Sequence, residues 1–233
     1  MIKVKLIGYT KDPEQIVTAA IRQCYSPIGA MDLKKTLDAD VRKNMIKQVL
    51  GSGHTSTLEH ASFTFAIEGV SRVTEIHLIR HRIASYSIQS GRYVKRTGAE
   101  YAIAPSVLNL DKKIVKRCKK FLGEANELYN FLTDAGIPAE DARYFQPQSV
   151  LVKIVVTMNS RSLLNFFRER LCNRAQWEIR QMARLMAKEV KKVAPNIFQN
   201  IGPTCETEKV CWEGKRNCGK WKTIKGAQLL SRI

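Results

Sequence analysis

The sequence predicts an α+β fold: a mixed sheet flanked by helices, in a single domain with a cysteine-bearing C-terminal extension. Three observations carry this. Residues 61–70 alternate Phe63, Phe65 and Ile67 with small or polar residues, and 150–158 is an apolar β-branched run, so both read as strands. Amphipathic stretches over 13–25, 111–134, 161–172 and 175–193 read as helices. No internal repeat or low-complexity linker divides the chain, so residues 1–200 are expected to form the main domain and 201–233 the extension.

Each element has a local reason. Val4, Leu6 and Gly8 alternate with polar residues in a short first strand. Pro13 suits the first turn of a helix, where its missing N–H costs nothing, and Ile16, Ala19, Ala20 and Ile21 make the apolar face. Asp38 is placed to cap a helix through Leu50, which Gly51-Ser52-Gly53 ends. Ser71 is placed to cap a helix reaching about Ile83, followed by a flexible hydroxyl-rich loop carrying Ser85, Ser87, Ser90 and Gly91. Gly136 and Pro138 end the long helix, and Pro147 stops a helical turn over 139–145. In the helix over 161–172, Leu163, Leu164, Phe167 and Leu171 form the core face; Pro195 ends the next helix. From Gly202 onward the Gly-, Lys- and Cys-rich sequence reads as irregular.

The formal net charge is +18, from 39 Lys and Arg against 21 Asp and Glu. Such self-repulsion implies anionic partners: nucleic acid, an anionic membrane surface, or phosphorylated small molecules. A merely Lys-rich solvated surface is the alternative. No apolar run approaches the roughly 20 residues that span a bilayer, and the opening MIKVKLIGYT holds no apolar leader core. A soluble cytoplasmic protein without a membrane partner is expected. In that compartment Cys205, Cys211 and Cys218 point to metal or redox chemistry rather than disulfides. Their spacing departs from the paired pattern of zinc sites, so no metal ligands are assigned, although a fourth ligand from elsewhere would complete a set. His77 and His81, four residues apart, have no acidic third ligand nearby in sequence.

The stretch 80-RHRIASYSIQSGRY-93 concentrates charge and hydroxyls. His77 and Arg80 share a helical stripe with Val73 and Ala84, which puts Arg80-His81-Arg82 at a helix C-terminus. There the macrodipole favours cations by roughly 0.3–1 kcal/mol. That accounts for the triplet but not for the hydroxyls and the further arginine downstream of it. Guanidinium forks, hydroxyls and backbone N–H groups near Gly91 suit a phosphate or a pyrimidine edge, with a solvated basic turn as the alternative. A second cluster sets Arg161 and Asn165 four apart, and Arg170 and Arg174 four apart. Like charges at that spacing repel unless an anion lies between them. Glu169 and Glu178 are the competing neutralising groups, and Trp177 is expected to pack or stack nearby.

These residues resemble the flavin-dependent thymidylate synthases. The resemblance rests on Arg80-His81-Arg82 followed after seven residues by Ser90, with Gln89, Gly91, Arg92 and Tyr93. It extends to 53-GHTSTLEH-60, Ala142-Arg143, and 159-NSRSLLNF with RAQWEIR-180, in the family's order over most of 1–200. It implies a homotetramer with active sites between subunits. These bind FAD, dUMP, methylene-tetrahydrofolate and NADPH, and make dTMP without a nucleophilic cysteine. NADPH reduces the flavin, the folate donates one carbon, and flavin hydride completes the methyl group. Residue by residue, Arg80, His81 and Arg82 match flavin-site positions, Arg80 also reaching the nucleotide phosphate. Gln89, Ser90, Gly91 and Arg92 match the loop that grips dUMP. Arg143 and Arg170 match arginines that hold and polarise the uracil side, with Arg170 the catalytic one. His54 and Ser56 fall in a flavin- and folate-side loop, and Asn159, Asn165 and Arg174 on the flavin side.

The chemistry of the residue types agrees. All the implied ligands are anions, so the net charge acts as a focusing field. A guanidinium beside the uracil carbonyls stabilises negative charge developing on the ring. Ser90 lacks a neighbouring His-Asp pair in sequence and reads as a binding residue rather than a nucleophile. Two positions depart from the family. Ser87-Ile88 stands where many members carry Asn-Glu, and His77 stands in place of a glutamine on the nucleotide side, where imidazole still donates a hydrogen bond. These departures leave a non-catalytic flavin- and nucleotide-binding paralogue as one alternative. A basic nucleic-acid-binding protein is the other.

Overall fold

The computed structural model describes residues 1–33 and 38–231. The chain begins with β1 (Lys3–Tyr9), α1 (Pro13–Gln23), α2 (Ala30–Leu33) and α3 (Ala39–Ser52). A 3-10 turn, Thr55–His60, leads into β2 (Ser62–Ser71), α4 (Arg72–Leu78) and β3 (Ser85–Ile88). Then come α5 (Pro105–Leu108), α6 (Lys112–Asp134) and α7 (Ala139–Ala142), followed by β4 (Leu151–Asn159), α8 (Ser160–Arg170) and α9 (Trp177–Val193). The C-terminal part holds α10 (Thr204–Thr207), β5 (Val210–Cys211) and β6 (Gln228–Leu229). The α+β class is as expected. The four longer strands form one sheet in the order β1-β2-β4-β3. It is antiparallel; β5 and β6 pair in parallel in a separate two-stranded ladder.

The described chain falls into two compact units. Unit 1 comprises 1–3, 67–80 and 86–155; unit 2 comprises 4–66, 81–85 and the residues from 156 onward. The core of unit 1 is made by Ile67, Val70, Leu78, Tyr129, Val150, Val152 and Ile154, all 2% exposed or less. In unit 2, Phe198 stands edge-on to Phe63, with centroids 5.3 Å apart, and to Phe167 at 6.1 Å. Met182, Met186 and Val190 on the buried stripe of α9 are fully buried as well.

Most of the capping logic holds. The Asp38 carboxylate accepts the Val41 N–H at 2.7 Å, and the Ser71 hydroxyl accepts the Thr74 N–H; Asp111, expected as the first helical residue, caps α6 instead by accepting the Lys113 N–H. Gly136 takes φ +87° just beyond α6. Four expectations need correction. α4 ends at Leu78 rather than near Ile83, so Arg80-His81-Arg82 lies beyond the helix instead of closing it. The reason is the next segment. Ser85–Ile88 is a strand, not a flexible loop; the Gln89 N–H, just past it, bonds the Lys153 carbonyl, and the Tyr86 hydroxyl donates to the Leu78 carbonyl at 2.9 Å. A helical turn continuing past Ile79 would forfeit these bonds. On α8, Phe166 is fully buried where the expected core face had Leu164 and Leu171, both only half-buried. The region after Gly202 is not irregular: it forms α10, β5, β6 and two 3-10 turns, and buries Cys205 and Cys211. Residues 232–233, the end of the expected extension, lie outside the described residues.

Candidate active site

The expected site residues fall in both units, and neither ligand's set is confined to one: Arg80, expected on the flavin as well as the nucleotide, is in unit 1, and Arg170, expected on the uracil, is in unit 2. His77, Arg80, Gln89, Ser90, Gly91, Arg92 and Arg143, all expected on the nucleotide, belong to unit 1. His54, Ser56, His81, Arg82, Asn159, Asn165, Arg170 and Arg174, the flavin-side set with the catalytic arginine, belong to unit 2.

In unit 2 the decisive contact joins residues far apart in sequence. The Arg170 Nε–H donates to His81 Nε2 at 2.8 Å. Because Nε2 accepts, the imidazole carries its proton on Nδ1 and is neutral. Its ring meets Phe166 edge-on, centroids 5.0 Å apart. Burial pushes the His81 pKa down to about 4, the Arg170 charge lowers it further, and Glu169 opposes them. A neutral histidine thus holds the plane of the Arg170 guanidinium at the C-terminal end of α8. Asn159 caps α8, its side chain accepting the Ser162 N–H at 2.9 Å. His54 and Ser56 sit exposed at the start of the 3-10 turn, whose Leu58 is fully buried. Arg82, Asn165 and Arg174 are exposed. Arg161, in the second basic cluster, pairs with Glu59 at 2.6 Å; Glu178, one of its expected neutralising groups, is buried in α9.

In unit 1 the segment after β3 is a tight turn. The Ser90 hydroxyl accepts the Arg92 N–H at 3.2 Å, and the Ser90 carbonyl accepts the Val94 N–H. Gly91 is buried, and a Cβ there would lie 3.4 Å from Arg143 Cδ and 3.6 Å from an Arg96 nitrogen. A side chain's first carbon there would be in ordinary contact with these arginines. Arg92 pairs with Glu140 and stacks over Tyr93, its guanidinium carbon 5.2 Å from the ring centroid. Arg143 donates through Nε to the Glu140 carbonyl at 3.2 Å. Arg80 is exposed and His77 half-buried on α4.

Sequence reasoning missed residues that the structure brings to this turn. Arg96 donates from Nη2 to the Gln89 carbonyl at 2.9 Å, and its backbone N–H donates to the Tyr129 hydroxyl on α6. Phe166 and Tyr86 were also missed. The signal for Tyr86 was legible as alternation within 85–88, which sets Tyr86 and Ile88 inward and the two serines outward; nothing in the sequence near Arg96 sets it apart from the lysine beside it. In unit 2, Cys172, Cys205, Cys211 and Cys218 line one small cavity of ≈ 80 Å³ with Trp212 and Trp221. Among the described residues no three His, Cys, Asp or Glu side chains are grouped to hold a metal ion. All six cysteines are free thiols.

The donor set fits a flavin dinucleotide. Exposed Arg82 and Arg174 offer guanidiniums to a pyrophosphate, and His54, Ser56 and Asn165 offer further hydrogen-bonding groups. The neutral His81 adds an uncharged heteroaromatic edge next to Arg82 in sequence.

Comparison with known proteins identifies the family. The sequence profile of the family described as "Thymidylate synthase complementing protein" matches residues 5–196. A flavin-dependent thymidylate synthase of Geobacter sulfurreducens is 44% identical over 225 residues, 96% of this chain and 97% of that protein. One from Clostridium tetani is 42% identical over 96% of each chain. One from Pyrococcus furiosus is 41% identical over 88% of this chain and 87% of that protein. Among solved structures, a UMP/dUMP methylase from Streptomyces cacaoi bound with 5-Br dUMP superposes with a TM-score of 0.75 at 25% identity, covering 85% of this chain and 93% of that one. The RHR segment, the serine-glycine turn and the arginine of α8 thus occur in a chain that matches these relatives nearly end to end, and the chain belongs to the flavin-dependent thymidylate synthase family.

Proposed function

We propose that the chain converts dUMP, methylene-tetrahydrofolate, NADPH and a proton to dTMP, tetrahydrofolate and NADP+, with FAD as the resident cofactor. The observation that carries this is the Arg170–His81 hydrogen bond. It joins the RHR segment to the arginine of α8 and orients a cation with a neutral partner, which suits charge developing on a uracil carbonyl. FAD, when reduced by NADPH, supplies the hydride and the folate the carbon; protein groups bind, orient and polarise. Arg170 holds and polarises the uracil. His81 keeps Nε2 unprotonated and so keeps Arg170 in one plane. His54, Ser56, Arg82, Asn165 and Arg174 hold the dinucleotide, and Asn159 sets the start of α8 that carries Asn165 and Arg170. Arg80 and His77 serve the nucleotide side with Gln89, Ser90, Gly91, Arg92 and Arg143, the turn presenting backbone N–H groups as well as guanidiniums to the anion.

The working form is a homotetramer with sites shared between subunits, and its place is the cytoplasm. Supporting the first is an apolar hollow of ≈ 640 Å³ on unit 1, lined by Val107, Ile114, Phe121 and Leu122, with Phe121 and Phe131 59% and 69% exposed on α6. Exposed apolar side chains grouped about a hollow suit burial against another copy of the chain. Supporting the second are the free thiols, and no described helix is long and apolar enough to cross a membrane.

The test is direct. The purified protein is expected to carry flavin absorption, and to form dTMP from dUMP when mixed anaerobically with FAD, NADPH and methylene-tetrahydrofolate. A colourless protein that takes up no added FAD overturns the proposal, and bound flavin with no dTMP leaves a binding paralogue in its place.

A further inference from the structure

The C-terminal segment has little core of its own. Among the described residues after Pro203, only Cys205 and Cys211 bury a side chain. Its elements are short: α10 spans four residues, β5 and β6 two each. Pieces of that length do not hold themselves together in water. Small segments so poor in core ordinarily need a covalent or metal cross-link. What this one has is sulfur. Cys205, Cys211 and Cys218 line a cavity of ≈ 80 Å³ together with Cys172, which lies just past the end of α8, and Trp212 and Trp221 line it too. The four cysteines come from four places: the exit of α8, α10, β5 and the turn before the 3-10 turn Lys220–Thr223. Their backbones are tied down. The Arg174 N–H donates to Cys172 Sγ at 3.5 Å, a bond of the kind that orients a ligating sulfur. Asn217, next to Cys218, accepts from the Gly219 N–H and the Trp221 Nε1–H, which fixes the turn that carries Cys218. Arg168 of α8 pairs with Glu208 just beyond α10, and Lys220 pairs with Glu206 on it.

We propose that Cys172, Cys205, Cys211 and Cys218 bind one zinc ion in a closed tetrathiolate site that fastens the C-terminal segment to the end of α8. The site is independent of the reaction proposed above. Thiolates favour soft cations, and four of them in tetrahedral array make a structural zinc set. The three tail cysteines were one ligand short, and Cys172, brought in from the other side of α9 in the chain, completes them. As placed, the sulfurs line the space without being drawn to one point. A change of staggered rotamer swings a cysteine sulfur by about 3 Å, enough to cross most of so small a cavity. As each sulfur–zinc bond forms, that thiol gives its proton to solvent. The four thiolates then outweigh the divalent cation, and the chain's net charge of +18 offsets the excess. Two disulfides are the competing cross-link. Four free thiols on one space, rather than two separate pairs, favour the metal.

The test uses the full chain. As purified, it is expected to hold about one zinc per chain by elemental analysis. A chelator is expected to remove the zinc and lower the denaturation midpoint, because the binding energy of a structural metal is folding energy. Cobalt added to the chelated protein is expected to give strong near-ultraviolet thiolate-to-cobalt absorption with the visible bands of a tetrahedral ion, and zinc to bleach both. In alkylation, exposed Cys218 reacts beside Cys24 once chelator is present, and zinc is expected to protect Cys218 but not Cys24. Cys218→Ser is expected to weaken cobalt by at least the about 10–100-fold that follows loss of an outer-shell partner, and Cys24→Ser to leave it unchanged. Cobalt that binds without thiolate absorption, or as an octahedral ion, overturns the site. So does a chain that takes up neither zinc nor cobalt. So does an intact mass lighter than the free-thiol chain by the hydrogens lost to disulfides. If Cys218→Ser folds poorly, the cobalt spectrum and the protection of Cys218 in the unaltered protein decide.

Discussion

At the residue scale, the pair His81 and Arg170 concentrates the chemistry. The hydrogen bond requires an unprotonated Nε2, and burial supplies it by lowering the His81 pKa to about 4. In the unfolded chain the imidazole titrates near its ordinary 6.5, so it takes up a proton before the folded one does. The stability His81 contributes is therefore complete above about pH 6.5 and drains away as pH falls toward 4. Nitrogen-15 NMR of the His81 ring is expected to show a neutral Nδ1–H tautomer down to about pH 5, above the lowered pKa; titration near the ordinary histidine value would remove this account. Arg170→Ala is expected to cut dTMP formation by about 100-fold or more, the scale of losing one electrostatic stabiliser, with flavin binding and the folded far-UV spectrum retained. Turnover within a few-fold of the unaltered enzyme would show that Arg170 is not catalytic.

At the scale of elements, two junctions set where the site residues stand. The first is the start of α8. Asn159 caps it, so Asn159→Ala is expected to lower stability by about 1 kcal/mol in the flavin-free protein, read as a fall in denaturation midpoint. An unchanged midpoint with weakened flavin would assign Asn159 to the cofactor alone. The second is the exit from α4, where the Tyr86 hydroxyl bonds the Leu78 carbonyl; burial pushes the phenol pKa up to about 12, so it remains a donor at working pH. Tyr86→Phe removes one partly buried hydrogen bond, an effect of about 1 kcal/mol. Near the sheet's first strand, Gly69 takes φ +71° and a Cβ would lie 2.6 Å from the Met1 carbonyl oxygen. Gly69→Ala should therefore cost roughly 1–3 kcal/mol, and a neutral result would mean that the first residue moves aside freely.

Across the whole molecule, charge and thiols give the readouts. With a net charge of +18, association with dUMP is expected to slow as salt rises from low to physiological strength, because screening shortens the range of the field. Stopped-flow association rates that ignore salt would confine electrostatics to the site. Burial raises the thiol pKa of Cys172 and of Cys205, so in the chelator-treated protein both are expected to react slowly with disulfide reagents at neutral pH, and the exposed Cys24 and Cys218 first.

The sequence by itself determined the elements whose cause is local. The proline at the start of α1, the carboxylate that caps α3, the serine that caps α4, and the β-branched run of β4 act on neighbouring residues, so their period and chemistry suffice. The ordered motif around Arg80, Ser90 and Arg170 also lay in the sequence, and it reached the family. Tertiary structure decided the rest. Where α4 stops depends on β3 reaching β4, a strand that comes only after the whole of α5, α6 and α7 in the chain. Arg96 looked like one more cation in 94-VKRTG-98 until the fold carried it beside Gln89, Arg72 and Arg143. Cys172 joined the three tail cysteines in the same way. Helix caps and periodicity are short-range forces that a linear chain displays. The burial of a charge, and hence its pKa and its need for an anion, belongs to the packed molecule, because only packing removes the water that would otherwise solvate it.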